Sequence, residues 1–263
     1  MIKFFLLIII INLSLLFNCK LSPIQEFSKK INVYSSYDKQ YLNEYYYIYS
    51  NNQKNIIYAL NKINYPDFLQ PESYHLPAIT INNIVLINKS FYLPSNQQGN
   101  NLIKVNHVPY IKRENEEMLI NEEALNNYID LYFFIKNIGY ELYIFSAYRS
   151  YEKQSDIYNK AINKNYVAIA GHSEHQSGLA IDISTLDIGL TNHLENSDFY
   201  SILINNINKY GFILRYPKNK EHITGYPYES WHFRYVGKEV ATIIYENKLT
   251  LEEYFYYYLL LDF

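Results

Sequence analysis

The chain has 263 residues, a formal net charge of −3, a single cysteine and 31 tyrosines. The slightly negative charge and the absence of a basic stripe between aromatic residues exclude nucleic acid as an expected partner, because a phosphate backbone requires clustered Lys and Arg. No glycine-rich phosphate loop is present either, so a nucleotide cofactor is not expected. The length allows one sizeable core with a smaller segment beside it, and we expect a monomer.

The N-terminus predicts an exported protein. A mostly apolar run over residues 4–17 is shorter than a comfortable membrane span, as in a signal peptide. The only cysteine, Cys19, follows it in a relaxed lipobox, where Leu16 fits and Asn18 is larger than the usual Gly or Ala. Because a lone thiol has no disulfide partner in its own chain, we predict a lipoprotein signal peptide over residues 1–19, with a lipid anchor at Cys19. The protein would be a periplasmic or cell-envelope lipoprotein; the alternative is a plain signal peptide with an incidental cysteine.

Two further segments follow. Residues 20–79 are rich in Tyr, Asn, Lys and Ser and show poor periodicity. They predict a tether and a Tyr-rich N-terminal segment that contains some helix or a packed arm, and the sequence does not determine its fold. Residues 80–263 predict a single larger domain.

The larger domain is predicted to mix helices with short strands. Asn121 precedes a helix whose apolar residues recur at intervals of three and four, and Gly139 ends it. A second predicted helix runs from Tyr151 to Asn163 with Ser150 as its N-cap, and a third runs from Ser197 to Tyr210. A C-terminal helix is predicted to begin with the capping box formed by Thr250 and Glu253. The predicted strands cover residues 140–145, 212–216 and 231–236.

Two polar clusters carry the candidate chemistry. From Gly178 to Ser184 apolar residues alternate with small or polar ones, which is typical of a half-buried strand, and Asp182 lies on its polar face. His175 lies on the loop that enters this strand, and His232 lies in a second alternating run. Two imidazoles and a carboxylate would supply the three protein ligands of a catalytic zinc site, with one position left for water.

The carboxylates in these clusters leave alternatives open. Asp182 lies in an otherwise apolar run, so it requires a cation or strong hydrogen-bond donors. A metal is one solution, and an arginine, Arg149 or Arg234, is the other. Glu229 precedes His232 by three residues and is suited either to general-base chemistry or to ligation.

Several motifs follow one another along the chain: Ser146 to Gln154, Ser173-x-His175-x-x-Gly178-x-Ala180-x-Asp182, Tyr210 to Pro217, Thr224-Gly225-Tyr226, and Glu229-x-Trp231-His232. Together they resemble the signature of the VanY-type D-alanyl-D-alanine carboxypeptidases, which are zinc peptidases of the LAS group in family M15. The resemblance covers about residues 80 to 255. It implies an α+β fold of the LAS/hedgehog type, with a small, mainly antiparallel sheet flanked by helices, and makes residues 80–263 the zinc D,D-carboxypeptidase domain.

The resemblance also implies roles for single residues. His175, Asp182 and His232 would hold Zn²⁺, and Glu229 would be the general base that acts on a zinc-activated water. Arg149 would stabilise the oxyanion or the substrate carbonyl.

Gln154 and Ser173 match family positions near the substrate, where they would bind the terminal carboxylate or amide. The alternatives are that Ser173 only caps its turn and that Gln154 only faces solvent.

The implied reaction is hydrolysis of the terminal D-Ala of a peptidoglycan stem peptide. One alternative is an L,D-carboxypeptidase acting on tetrapeptide stems, because the motifs do not determine the stereochemistry of the penultimate residue. Another is a non-catalytic, zinc-bearing cell-wall-binding module, although such a module has less need of Glu229 and Arg149. Ala147, Ala170 and Ser230 depart from the family pattern, and these changes bear on loop rigidity beside the cleft.

Overall fold

The structure is a computed structural model that describes residues 21–114 and 116–259. These residues form two compact units, one ending at Pro66 and the other running from Asp67 to Leu259. The predicted signal peptide over residues 1–19, including Cys19, lies outside the described residues. The domain boundary placed at residue 80 stays a prediction.

The first unit is helical. It contains α1 (Pro23–Ile31), α2 (Leu42–Asn51) and α3 (Ile56–Asn64). The buried side chains at its centre are Phe27, Ile31, Tyr45 and Leu60. The part of the Tyr-rich segment over residues 21–66, whose fold the sequence left open, therefore forms helices around a small core of its own. Its remaining residues, 67–79, belong to the second unit.

The second unit combines helices with short strands. Its helices are α4 (Glu122–Asn137), α5 (Tyr151–Lys160), α6 (Tyr200–Ile204), α7 (Glu221–Thr224), α8 (Lys238–Asn247) and α9 (Leu251–Tyr254). Its strands are β1 (Leu76–Pro77), β2 (Ile79–Ile81), β3 (Ile84–Leu86), β4 (Phe91–Tyr92), β5 (Leu102–Lys104), β6 (Leu119–Asn121), β7 (Tyr143–Ser146), β8 (Ala180–Ser184), β9 (Phe212–Leu214) and β10 (His232–Tyr235).

The largest sheet has the strand order β7-β8-β10-β9, and every pairing in it is antiparallel. The remaining strands form two-stranded pairs. This architecture confirms the predicted α+β fold with a small, mainly antiparallel sheet.

Helix α4 supplies much of the core beneath this sheet. Asn121 caps the helix, since its side chain accepts hydrogen bonds from the backbone N–H groups of Glu123 and Ala124. The buried apolar side chains of α4 form one cluster with Ile181 of β8 and Phe233 of β10. The core therefore lies on one face of the sheet, and the opposite face is left for polar side chains.

Strand β8 is buried along its whole length, so the prediction of a half-buried strand is wrong for its polar face. The turn that carries His175 folds back against Asp182 and covers this face. A single sequence cannot reveal such a cover, because the covering residues come from outside the strand.

The continuous helix predicted from Ser197 to Tyr210 is also wrong. Helix α6 ends at Ile204, and a separate, tighter turn follows from Ile207 to Tyr210. The side-chain amide of Asn206 donates to the carbonyl of Ile202 at 2.8 Å. Short polar side chains compete in this way with main-chain hydrogen bonds and favour the end of a helix.

The predicted capping box at the C-terminal helix is confirmed. Thr250 accepts a hydrogen bond from the backbone of Glu253, and the Glu253 carboxylate accepts one from the backbone of Thr250. Phe255 and Tyr256, which continue α9 as a π-helical turn, are buried in the core. Over residues 21–114 and 116–259, no helix has both the length and the apolar character needed to cross a bilayer.

Candidate metal centre and active site

The sheet brings the two polar clusters of the sequence side by side. His232 on β10 lies directly opposite Asp182 on β8. On the other side of β8, Ser146 at the end of β7 is the neighbour of Asp182. Because side chains alternate along a strand, a shift by one residue would turn either side chain to the core face.

His175 reaches this pair from the turn Glu174–Ser177. Gly178 ends the turn with a φ of +73°, and a Cβ atom at this position would lie 2.4 Å from Cδ2 of Leu102. Only glycine fits such a left-handed, crowded position without strain. The chain therefore turns sharply into β8 just after His175, which places the imidazole over Asp182.

The three predicted ligands lie together. Nε2 of His175 is 3.2 Å from Oδ2 of Asp182, and Nδ1 of His232 is 2.9 Å from Oδ1. The three donor atoms lie within 4.8 Å of one another, and all three residues are buried. Two imidazole nitrogens and a carboxylate oxygen are a donor set typical of catalytic zinc, so these residues fit the predicted ion.

The main chain holds the outer nitrogen of His175. Its Nδ1 lies 2.6 Å from the carbonyl oxygen of Ala147. Because a carbonyl can only accept, Nδ1 carries the proton and Nε2 directs its lone pair towards Asp182. Contacts of this kind set the tautomer and the ring orientation of a metal-binding histidine.

The neighbours of Asp182 keep it ionised. Burial alone would raise the pKa of Asp182, but the charges and hydrogen bonds of His175 and His232 hold it well below its ordinary value. Arg149 adds a weaker attraction, with Nη2 at 4.0 Å from Oδ2. Of the two arginines that the sequence offered, Arg149 therefore lies near Asp182, whereas Arg234 pairs with another carboxylate.

The pKa values of the two imidazoles are shifted in opposite directions. Burial lowers the pKa of His175. Burial alone would also lower the pKa of His232, yet its contacts with Asp182 and Glu174 raise it to about 9. A metal that binds His232 must therefore displace a proton, so metal binding is coupled to proton release.

Glu229 lies beside the donor cluster. Its Oε2 is 3.9 Å from Nδ1 of His232, and its backbone N–H donates to the carbonyl of Tyr216 at 3.2 Å. Burial raises the pKa of Glu229 to about 7. A carboxylate that titrates near neutrality is suited to take up and return a proton, which favours general-base chemistry over ligation.

Arg149 is held by two neighbours. Its Nη1 donates to Oε1 of Gln154 at 2.7 Å, and its Nη2 donates to Oγ of Ser146 at 3.1 Å. The Gln154 amide in turn donates to the carbonyl of Ala168. Gln154 is only 1% exposed, so the alternative that it faces solvent is wrong. The guanidinium is therefore held in place before any substrate binds.

The predicted residues surround one small cavity of about 180 Å³. Ser173 lines it, and its side chain makes no capping hydrogen bond to the turn, contrary to the capping alternative. Pockets for larger ligands measure about 300 to 1,000 Å³, so this cavity suits the end of a chain. Its other walls are Ile157, Tyr166, Val167, Ala168, Glu174, Tyr216, Tyr226 and Trp231.

Glu174, Tyr216 and Tyr226 were not predicted as site residues. The ring of Tyr216 stacks on His232 with centroids 4.9 Å apart, and Tyr226 packs against Tyr216. All three lie inside the motifs quoted above. The sequence signal that could have pointed to Glu174 is its position next to the candidate ligand His175, just before a strand predicted to be half-buried, because a charge near a buried strand needs a partner.

Comparison with known proteins agrees with this geometry. The model of the VanY family, described as D-alanyl-D-alanine carboxypeptidase, matches residues 117–238. YodJ of Bacillus subtilis (strain 168) is 37% identical over 217 residues, which cover 78% of each chain. This chain belongs to the VanY family of D-alanyl-D-alanine carboxypeptidases.

Two solved structures of similar proteins extend the comparison. The LD-carboxypeptidase LdcB matches with a TM-score of 0.62 and 36% identity, covering 72% of this chain and 98% of that chain. A mutant of the D,D-pentapeptidase VanY in complex with Zn(II) matches with a TM-score of 0.52 and 32% identity, covering 64% of this chain and 96% of that chain. The VanY-type resemblance and the predicted fold are therefore confirmed.

Glu229→Gln should flatten the pH dependence of stability in the metal-free protein. The pKa of Glu229 is about 7 in the folded state against a reference value of 4.5. Between these values the folded state keeps a proton that the unfolded state has released, so the free energy of unfolding falls as pH rises. We expect the variant to exceed the wild type by on the order of 2 kcal/mol near pH 8 and to match it near pH 4.

Urea unfolding in the presence of a chelator, from about pH 4 to about pH 8, measures this difference. Glu152→Gln removes an exposed carboxylate on α5 and controls for the change in net charge. If the free energy of unfolding depended on pH in the same way for Glu229→Gln and the wild type, Glu229 would not be a carboxylate with a raised pKa.

Proposed function

We propose that this protein is a zinc-dependent D-alanyl-D-alanine carboxypeptidase that removes the terminal D-Ala from peptidoglycan stem peptides. The observation that carries the proposal is the convergence of the buried His175, Asp182 and His232 with Glu229 and Arg149 around one small cavity. Membership of the VanY family supports the same reaction class.

His175, Asp182 and His232 would hold the metal, and a zinc ion bound there supplies Lewis-acid activation of water and of the scissile carbonyl. Glu229 accepts the proton of the attacking water and passes it to the amine of the departing D-Ala. Its pKa of about 7 suits both transfers, because neither protonation state is strongly favoured at neutral pH.

Arg149 stabilises the negative charge that develops on the carbonyl oxygen. A guanidinium offers several donors in a rigid fork, and a donor that is already oriented needs little reorganisation during the reaction. Gln154 and Ser146 provide that orientation. We assign Ser173 to the terminal carboxylate of the substrate, because its side chain is not used to cap its turn.

The shape of the site supports removal of a terminal residue. The cavity at the metal centre, about 180 Å³, adjoins a larger one of about 680 Å³ and shares Val167, Ala168 and Tyr226 with it. The terminal D-Ala would occupy the small cavity, and the preceding part of the stem peptide would extend into the larger one.

An L,D-carboxypeptidase is the second candidate. The observation in its favour is the higher TM-score with the LD-carboxypeptidase LdcB, 0.62 against 0.52 for VanY. The third interpretation, a zinc-bearing cell-wall-binding module without turnover, leaves the half-buried Glu229 and the oriented Arg149 without a role.

Release of D-Ala from synthetic stem peptides tests the proposal. We expect the protein to release D-Ala from a pentapeptide ending in D-Ala-D-Ala and to stop when a chelator removes the metal, because activation of water depends on the ion. A matched tetrapeptide, whose terminal D-Ala follows an L-configured centre, serves as the comparison. Chelator-sensitive release from the tetrapeptide alone would instead establish the L,D reading, and stoichiometric zinc without release from either would favour the binding module.

Substitutions at Glu229 and His232 should separate zinc binding from turnover. We expect Glu229→Ala to keep stoichiometric zinc and to lose about 10² to 10⁴ in kcat, because it removes the general base and no ligand. His232→Ala should lose both zinc and turnover. Zinc content and D-Ala release are measured on the same samples, with Glu152→Ala as an exposed control. Full turnover in Glu229→Ala would show that Glu229 is not the base.

We further propose that the protein is exported to the cell envelope and anchored by a lipid on Cys19. Support comes from the apolar run over residues 4–17 and the lipobox spacing of Leu16 and Cys19. Labelled palmitate should enter the wild-type chain and not Cys19→Ser, since the acyl chains are attached through that residue. A wild-type chain that is cleaved and released without label would favour the plain signal peptide.

A further inference from the structure

A buried cluster of charges lies against the metal centre. It contains two arginines and two glutamates, Arg215, Arg234, Glu174 and Glu252, none more than 1% exposed. The formal charges balance within the cluster. Buried ions are tolerated only when they are paired and hydrogen-bonded in this way.

The two arginines orient the Glu174 carboxylate. Its Oε1 accepts hydrogen bonds from Nε of Arg215 at 2.8 Å and from Nη1 of Arg234 at 2.7 Å. The other guanidinium nitrogens donate to Glu252 and to main-chain carbonyls, so neither arginine is free to turn. The second oxygen of Glu174, Oε2, is therefore directed away from the arginines.

Oε2 of Glu174 faces His232. It lies 3.6 Å from Nε2 of the imidazole. Within the described residues, both atoms are buried and neither has a hydrogen-bond partner. A buried polar atom without a partner is costly, and here one unpaired acceptor faces one unpaired ring nitrogen. A small approach of the two side chains would join them.

We propose that Glu174 is a positioning residue of the metal centre, which accepts the Nε2 proton of His232 and so reserves Nδ1 for the metal. Nδ1 is the nitrogen that faces Asp182, at 2.9 Å. The proposal rests on the zinc site of the proposed function and adds to it a residue that does not touch the ion.

The two histidine ligands would then be opposite tautomers. His175 keeps its proton on Nδ1, against the carbonyl of Ala147, and binds through Nε2. His232 keeps its proton on Nε2, against Glu174, and binds through Nδ1. A carboxylate that accepts from the outer nitrogen also makes the imidazole a stronger ligand, and loss of such a contact typically weakens metal binding by about 10- to 100-fold.

Glu174→Gln tests this role without changing the shape of the side chain. The arginines can only donate, so they hold the amide oxygen at the position of Oε1 and turn the amide NH₂ group towards Nε2 of His232. That donor favours the tautomer with the proton on Nδ1, which competes with the metal. We expect a zinc Kd raised by about 10- to 100-fold, measured by competition with a chromophoric chelator.

Glu252→Gln is the matched control. It removes the same charge from the same cluster, but the Glu252 carboxylate bonds to Arg215 and Asn88, and none of its hydrogen bonds within the described residues involves His232. Both variants should unfold at lower temperature than the wild type, and only Glu174→Gln should lose zinc affinity. Equal zinc affinity in the two variants would overturn the role of Glu174. A wild-type protein that takes up no zinc would overturn the metal centre and this proposal together.

Nitrogen NMR on the unaltered, zinc-loaded protein gives a second readout that does not depend on the folding of a variant. Long-range proton–nitrogen correlations distinguish Nδ1 from Nε2 in each histidine ring. We expect one zinc-bound histidine protonated at Nδ1 and the other protonated at Nε2, the latter with a proton that exchanges slowly because a buried carboxylate holds it. Two zinc-bound histidines that are both protonated at Nδ1 would overturn the proposal.

Discussion

The antiparallel pairing that sets His232 opposite Asp182 is the constraint on which the site depends. It holds an imidazole and a carboxylate at contact distance on the polar face of a sheet whose other face is packed into the core. A strand register is stable only where one face is strongly apolar, because a slip by one residue would expose that face and bury the polar one. The hydrophobic core therefore determines the position of the metal ligands.

Charge alternates from the cavity towards the interior of the unit. The metal ligands come first, with the ionised Asp182 among them, and Glu174 follows behind His232. Beyond Glu174 lie Arg215 and Arg234, and beyond Arg215 lies Glu252. Each charged group therefore lies next to a group of opposite charge. Burial alone would raise the pKa of Glu174, but the two arginines hold it well below its ordinary value. This arrangement keeps a carboxylate ionised at a depth where an isolated one would be protonated.

The net outcome is the opposite at Glu229, where the effect of burial outweighs that of the neighbouring charges. This side chain is half-buried beside the same histidine. The charges of His232 and Arg149 are too weak to offset its burial, and its pKa rises to about 7. Three carboxylates within one small site thus differ in protonation because their neighbours differ. Asp182 is suited to ligation, Glu174 to orientation and Glu229 to proton transfer, which is the kind of separation expected where acid–base chemistry occurs near neutral pH.

The sequence by itself indicated a mixture of helices and strands, the helix start at Asn121, the capping box at Thr250 and the residues available as ligands, because periodicity and capping patterns are local properties. The antiparallel α+β fold was implied by the family resemblance of its motifs. It could not show that β8 is covered on its polar face, or that Gln154 is buried against Arg149, since both depend on contacts between distant segments. Only the tertiary structure decided which arginine faces Asp182 and placed Glu174 behind His232. Both arrangements follow from strand pairing and from the need to neutralise every buried charge. Strand pairing and charge neutralisation join residues that are far apart in the sequence, so they cannot be predicted from one segment at a time.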